Sequence, residues 1–398
     1  MPSIRYRWVI LILTYICLLT YGFTLQSVPP ILPLIIEAQR LTHAEAGLLM
    51  SLFSVPGILL GILAGSLSDR LGAFKIGVFS FILVIIGGLT FATSNVFLLA
   101  GLGRIIAGIG AITLVIISLQ TLSRWFTGRE IGTVMGIFNT SYPVSIILPL
   151  LTFGILGENF GWRMPILITI VTCTLGLIAF LILYKPPPNL PQEIAFEKEE
   201  GRINLPSNLF TIGLPIWLVG VCWMLFNASL ISFLTFAPDF LVSMGHSISY
   251  AGFLTSLIMW GTLPMSLIIG RMVDRIGNNE LFIAIAGILF AGSIYFVSRS
   301  TEFLFPMICV TFAAAIAPVP IMAFPSKLVK PKDLGLGFGI ITALNSTGMV
   351  FGPYIAGLIR DITGSYEMSL TFMSMMAMLL TIFALLLRAK MKTYNIPA

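Results

Sequence analysis

Long apolar stretches separated by short polar connections repeat along the whole chain of 398 residues. Each stretch reaches about 20 residues, the length at which an α-helix crosses the roughly 30 Å of hydrocarbon in a bilayer. The pattern predicts an all-α integral membrane protein with twelve transmembrane helices. The predicted spans are residues 8–36, 46–68, 75–96, 97–123, 131–158 and 162–184, then 209–236, 248–270, 280–298, 303–326, 334–359 and 366–388.

One hydrophilic connection is much longer than the others and lies between the sixth and seventh spans, at residues 185–208. It begins with consecutive prolines, Pro186 to Pro188, and continues with a mixture of acidic and basic residues. Such a sequence cannot cross a membrane and is typical of a linker, here a cytoplasmic one. It divides the chain into an N-terminal six-helix bundle at 1–184 and a C-terminal six-helix bundle at 209–398.

Two short motifs recur in the same order in both halves of the chain. The first motif is followed by its copy 205 residues later: Gly65-Ser-Leu-Ser-Asp69-Arg70-Leu-Gly72 and Gly270-Arg-Met-Val-Asp274-Arg275-Ile-Gly277. The second is followed by its copy after 203 residues: Arg129-Glu130-Ile-Gly132 and Lys332-Asp333-Leu-Gly335. Recurrence at nearly one spacing indicates a duplication, and duplicated sets of six spans are typical of transporters.

The first motif, G-x-x-x-D-R-x-G between spans two and three, resembles the signature loop of the major facilitator superfamily. Span four, which reads Arg104-Ile-Ile-Ala-Gly108-Ile-Gly110, resembles a second motif of that superfamily. More narrowly, the chain is similar to the bacterial and archaeal permeases of the cyanate, nitroimidazole and nitrate type. The resemblance implies secondary transport by alternating access, around a site between two bundles that spans one, four, seven and ten line.

Composition and charge agree with a membrane location. Hydrophobic residues make up 57% of the chain and charged residues 10%, and the mean hydropathy is +1.02; about a quarter of a soluble domain is charged. Of 22 Lys and Arg, 17 lie on the side of the termini, 4 on the opposite side, and Arg104 within a span. The positive-inside rule therefore places both termini in the cytoplasm, in a multi-pass protein of the cytoplasmic membrane.

The expected partners are a small-molecule solute and the lipid bilayer, with no nucleic acid, because the basic residues are scattered between spans. The four cysteines lie in apolar runs without metal-ligand spacing, and His43 and His246 fall in predicted outer loops. An intramembrane enzyme would need a nucleophile, a metal cluster or an acid–base pair inside the bilayer. We therefore expect a monomeric carrier with no catalytic residue, metal or cofactor, rather than an enzyme or a sensor built on a carrier fold.

Arg104 is the one charged residue predicted well inside a span, about seven residues or roughly 10 Å below its outer end. A buried Arg costs at least about 2.5–3.5 kcal/mol, so it must face a wet cavity or a partner. It either binds the negative group of the substrate, or snorkels outward or pairs with Glu37. The first interpretation favours a small organic or inorganic anion as substrate; a small peptide or other zwitterion remains an alternative.

Efflux of an amphipathic drug is a further alternative, but the span-five motif of drug:proton antiporters is absent. All 16 acidic residues fall in predicted loops or at span ends, which favours a facilitator or exchanger over proton symport through a side chain in the membrane. The polar residues predicted to contact the substrate, besides Arg104, are Tyr21, Gln26, Asn139, Tyr142, Trp223, Asn227 and Asn345. Prolines at 29, 30 and 33, and at 318 and 320, predict bends in spans one and ten.

The signature-loop residues predict a conformational latch between the two halves. Asp69 is expected to face the positive N-terminus of span eleven near Gly335, and Asp274 that of span five near Gly132. The alternative is that these residues only fix topology and stabilise the loop. The predicted latch residues are Gly65, Asp69, Arg70, Gly72, Gly270, Asp274, Arg275 and Gly277.

Overall fold

A computed structural model describes residues 6–126, 130–186, 213–329 and 334–393 of the chain. Over these ranges the chain is almost entirely helical and has no β-strand. The first half contains a 3-10 turn at Pro29–Ile31 and these helices: α1 (Tyr6–Leu25), α2 (Leu32–Gln39), α3 (His43–Leu71), α4 (Ala73–Thr93), α5 (Phe97–Trp125), α6 (Glu130–Phe160) and α7 (Arg163–Leu183).

The helices of the second half are α8 (Leu214–Ser243), α9 (Ile248–Ile276), α10 (Asn279–Val297), α11 (Leu304–Ile316), α12 (Pro318–Leu328), α13 (Leu334–Thr363) and α14 (Tyr366–Thr393). They account for the twelve predicted spans, because α1 and α2 together form span one and α11 and α12 form span ten. Over the described residues, ten spans are long and apolar enough to cross a membrane. Helices α9 and α13, with 29 and 30 residues, are equally long and complete the twelve.

Proline interrupts the two composite spans, as the sequence predicts. Helix α1 ends at Leu25, and Pro29 and Pro30 begin a short 3-10 turn before the chain continues as α2. Span ten is interrupted at Ala317, directly before Pro318. Proline has no backbone N–H and cannot continue the helical hydrogen-bond ladder, so carbonyl oxygens at the end of α1 are left without helical partners.

The two halves pack against each other through α3 with α13 and through α6 with α9. Glycines make this approach possible: a Cβ on Gly47 would lie less than 3.0 Å from the carbonyl oxygen of Pro353, and one on Gly252 equally close to that of Leu150. Gly252 follows Gly47 by 205 residues and Pro353 follows Leu150 by 203, the same spacings as the sequence motifs. The duplication is therefore visible as a pseudo-two-fold symmetry of the contact between the halves.

A second symmetric pair of contacts lies farther from the described ends of the chain. Gly357 packs on the carbonyl of His43, and Gly154 packs on the side chain of Ile248, again at spacings of 203 and 205. We term this end of the bundle, remote from Tyr6 and Thr393, the distal end, and the opposite end the terminal end. The glycine contacts between the halves form the distal seal, which extends inward as far as Gly57 against Ser346.

The predicted linker at 185–208 lies almost wholly outside the described residues, so its boundaries stay predictions. Helix α8 ends at Ser243 rather than at residue 236, which places Asp239 inside the helix, buried. The prediction that every acid lies in a loop or at a span end is therefore wrong for Asp239.

Candidate functional site

The candidate substrate residues of the first half lie on α1 and α6. Gly22 lets these helices approach closely, because a Cβ there would overlap the side chain of Ser145. Tyr21, which precedes Gly22, stacks its ring on that of Tyr142 with the ring centroids 6.4 Å apart. The centroid of the Tyr21 ring also lies 5.7 Å from that of Phe53. The structure thus brings two of the predicted residues together in a half-buried aromatic pair.

Asn139 lies nearer the terminal end of α6 and is exposed, as is its neighbour Thr140. The Thr140 hydroxyl lies 3.4 Å from the hydroxyl of Tyr15 on α1. A Cβ added at Gly136, one turn earlier, would meet no other atom within 4 Å. Exposed polar side chains at membrane depth are more stable in water than in lipid, so we expect this part of α6 to face a water-accessible space.

Gln26 lies at the break between α1 and α2 and is fully buried. Neither amide atom of its side chain has a hydrogen-bond partner among the described residues. Burial of an amide without hydrogen-bond partners is costly. In this conformation the Gln26 side chain is therefore buried within the first half and is not accessible to a solute.

The candidate residues of the second half lie on α8 and α13. Trp223 stacks on Phe226, with centroids 5.4 Å apart, and its carbonyl accepts a hydrogen bond from the Asn227 amide. Asn345 precedes Ser346, the innermost contact of the distal seal, and its side-chain oxygen has no partner among the described residues. No described hydrogen bond or ring contact joins these residues to Tyr21 or Tyr142.

Arg104 lies in α5 and is 1% exposed. Its Nη1 donates to the carbonyl of Thr24 at 2.7 Å and its Nε to that of Leu49 at 3.0 Å. Its Nη2 lies 3.4 Å from the carbonyl oxygen of Leu25. The guanidinium carbon lies 4.7 Å from the centre of the Phe53 ring. Arg104 therefore caps the carbonyl end of α1, where a positive charge also complements the helix dipole.

These contacts contradict one interpretation of Arg104 drawn from the sequence, the outward or Glu37-paired side chain, whereas its binding of the substrate stays a prediction. Glu37 is exposed on α2, and among the described residues Arg104 contacts no carboxylate, so it neither snorkels outward nor pairs with Glu37. Its donors also point at backbone rather than into the space between the halves. The sequence could not reveal this role, because the acceptors are main-chain carbonyls that any residue carries.

The predicted latch is described only in part. Gly72 and Gly277 have φ of 82° and 68°, and they occupy equivalent turns after α3 and α9, as the repeat predicts. A side chain is strained at such φ, which explains glycine at both positions. The side-chain surroundings of residues 61–71, Gly132, Asp274 and Gly335 lie outside the described part. The contacts expected of Asp69 and Asp274 with the opposite half therefore stay predictions.

A second polar cluster, which the sequence did not predict, bridges the halves at the distal end. His43 is the first residue of α3 rather than part of a loop, and its Nδ1 lies 2.9 Å from Asp361 of α13. Its Nε2 lies 3.5 Å from Asp239 of α8, and the Tyr366 hydroxyl donates to the same carboxylate. We term these residues, His43, Asp239, Asp361 and Tyr366, the distal gate. Their separation by up to 323 positions leaves no signal in the sequence.

The fold and these sites agree with the comparison to known proteins. The family model of the Major Facilitator Superfamily matches residues 14–250 and 224–396, so the chain belongs to that superfamily. It is a multi-pass membrane transporter that acts on a small-molecule solute, and it is not an enzyme. The relatives and solved structures that follow are all transporters.

The lysosomal dipeptide transporter MFSD1 of Danio rerio is 24% identical in an alignment of 401 positions, gaps included. The alignment covers 95% of this chain and 86% of that protein. The hexuronate transporter of Bacillus subtilis is 24% identical over 362 residues, 84% of this chain and 83% of that protein. The crystal structure of the nucleoside transporter NupG superposes with a TM-score of 0.76 and 16% identity, covering 96% of this chain and 98% of that one. The last likeness shows the fold.

Proposed function

We propose that this protein carries a small solute without net charge, most simply a short zwitterionic peptide, by alternating access between its two halves. The observation that supports the proposal is the position of Arg104, whose guanidinium is engaged by backbone carbonyls. The other described charged residues lie at or near helix ends or in connections, apart from Asp239, which is buried within α8 and contacts Tyr366 and His43. The described groups left to bind a solute are amides, hydroxyls and aromatic rings, which suit a molecule whose charges balance.

The relatives support this class of solute over the small anion that the sequence alone favoured. The dipeptide transporter spans 95% of this chain, and a dipeptide combines a carboxylate with an ammonium group. A hexuronate carries one carboxylate, so the similarity to the hexuronate transporter makes a solute with a single negative charge the second candidate. The narrower resemblance to cyanate, nitroimidazole and nitrate permeases stays a prediction, as does the monomeric state.

In this proposal the solute lies between the halves, under the distal seal. Tyr21 and Tyr142 contact it from the first half and Trp223, Asn227 and Asn345 from the second; Asn139 lines the path toward the terminal end. By the positive-inside rule, the proposal takes the terminal end as cytoplasmic and the distal end as outside. The structure is then an inward-open state, with the outer side closed by the glycine contacts.

We expect purified protein in liposomes to exchange a labelled dipeptide in counterflow, and excess unlabelled dipeptide to compete better than glucuronate. Replacing Asn345 with Ala should raise the KM for the dipeptide roughly 2- to 12-fold, the value of one hydrogen bond. Asn159→Ala is the matched control, because Asn159 is exposed and its amide bonds only within α6. Exchange of glucuronate with no exchange of any dipeptide would contradict the proposal and favour a small organic anion as the solute.

A further inference from the structure

The contact between α3 and α13 carries an ion-paired cluster that the described residues do not repeat at the symmetry-related contact of α6 with α9, where the one acidic counterpart is exposed. By the spacings of the repeat, Ile248 corresponds to His43 and Glu158 to Asp361. Ile248 packs its side chain against Gly154, so the contact of α9 with α6 is closed by apolar packing at this position. Closing the distal end therefore does not in itself require an ionisable cluster, and the charges on one side call for a separate explanation.

Asp361 holds the start of α3 from the other half of the protein. Its carboxylate accepts hydrogen bonds from the backbone N–H groups of His43 at 2.9 Å and Ala44 at 2.7 Å. The same carboxylate accepts from the His43 ring, whose other nitrogen faces Asp239. An imidazole has protons on both nitrogens only in its cationic form, so it can donate to both carboxylates only when it is protonated.

The neutral ring would turn a lone pair toward one of the two carboxylates and lose that bond. His43 side-chain exposure is 24%, so its proton exchanges with the distal solution. The described ionisable groups around it are Asp239 on α8, Asp361 and Arg360 on α13, and Tyr366 on α14, with Glu45 on its own helix. Arg360 lies over the Tyr366 ring at 4.5 Å, while the two aspartates are the groups that contact the imidazole.

We propose that His43 is a proton-binding site that locks the distal end: one proton from the distal solution joins α3 of the first half to α8 and α13 of the second. Protonation adds one N–H bond to the imidazole, and its release restores the neutral ring, so no other reactant is needed. Acid on the distal side stabilises the closed state, and a rise in distal pH weakens it. The inference rests on the proposed alternation of the two halves and not on the identity of the solute.

The chain offers a matched control, because it has two histidines and both lie at the distal end. His246 packs against the rings of Tyr250 and Phe303 and makes no contact with a carboxylate among the described residues. Replacing either histidine with Gln keeps a hydrogen-bonding side chain and removes the titration. If protonation of His43 causes the pH effect, the effect must disappear in His43→Gln and persist in His246→Gln.

The experiment measures the distance between spin labels replacing Phe160 and Glu302, exposed residues at the distal end of each half. The protein is reconstituted in nanodiscs without solute, with its native cysteines replaced. From about pH 5 to 8, the range in which an imidazole titrates, we expect the ratio of closed to open states to fall about 10- to 100-fold. One proton limits the slope to tenfold per pH unit. His246→Gln should follow the unmodified protein, and His43→Gln should not respond to pH.

Asp239→Asn provides a second test, because it removes one carboxylate while leaving the cap that Asp361 makes on α3. It should reduce the response to pH without abolishing it. A ratio independent of pH in the unmodified protein, or an unchanged response in His43→Gln, would overturn the lock. Because no solute is present, either result would leave the transport proposal standing, and failed counterflow would leave the lock standing.

Discussion

The Arg104→Gln protein is expected to lose about 3 kcal/mol of stability rather than only affinity for its solute. The substitution removes the donors to the carbonyls of Thr24 and Leu49, and both of these residues are buried. Each buried polar group left without a partner costs about 1–3 kcal/mol. Arg104→Lys keeps the charge, but one ammonium group cannot reproduce the fork that joins α1 to α3, so an intermediate loss is expected. Thermal melting of the purified protein measures both.

Arg163 provides the control for this prediction. Its Nε donates to the carbonyl of Ala92 at 2.9 Å, near the end of α4, but the side chain is exposed. Arg163→Gln should therefore change stability by about 0.5 kcal/mol or less. Glu37→Gln should change it as little, because Glu37 does not contact Arg104. If the Arg104→Gln protein has the same melting temperature as the unmodified protein and loses only affinity for the solute, Arg104 binds the solute.

Gly252→Ala is expected to open the distal end and slow transport about tenfold while leaving the fold intact. The new Cβ would lie less than 3.0 Å from the carbonyl oxygen of Leu150, and both atoms belong to helical backbone that cannot yield locally. Overpacking of this kind costs about 1–3 kcal/mol, but separating the two halves relieves it. The closed state should therefore lose a factor of about 5 to 150 relative to the open one. Counterflow rate and melting temperature together test this.

Gly292→Ala is the matched control. Gly292 also lies within a helix, α10, but a Cβ there meets no atom within 4 Å. Alanine favours the helix by up to about 1 kcal/mol at either position, so this control removes the contribution of helix propensity. A Gly252→Ala protein with the same counterflow rate as Gly292→Ala would show that the α6–α9 contact does not limit the cycle.

The fold follows from the sequence because its main features are local. The lipid-crossing helices are read from hydropathy, and Pro29 and Pro318 mark the two interruptions, since proline removes a hydrogen bond wherever the helix runs through it. The sequence places the end of α8 too early, because Pro238 and Asp239 are typical of a helix end. Tertiary contacts override that local signal: the Asp239 carboxylate is satisfied inside the bundle by Tyr366 and His43.

The candidate site was less predictable, because its geometry depends on partners far apart in the chain. Intramembrane polar residues such as Asn345 could be proposed from their position alone. The partners of Arg104 could not, since backbone carbonyls have no sequence identity. Nor could the distal gate, where His43 meets an aspartate 318 positions away. The repeat spacing, however, relates Gly47 to Gly252. Once one of these glycines is known to pack against the other half, the spacing predicts the same role for the other.

The most direct test of alternating access compares two single cysteines, at Ser51 in the distal seal and at Asn139 toward the terminal end. Ser51 is fully buried and donates to the carbonyl of Val350 across the halves, whereas Asn139 is exposed. A water-soluble maleimide should therefore label Asn139→Cys and spare Ser51→Cys. Adding Gly252→Ala should reverse this order, so that labelling at 51 rises as labelling at 139 falls. Labelling that rises or falls together at both positions would contradict alternating access.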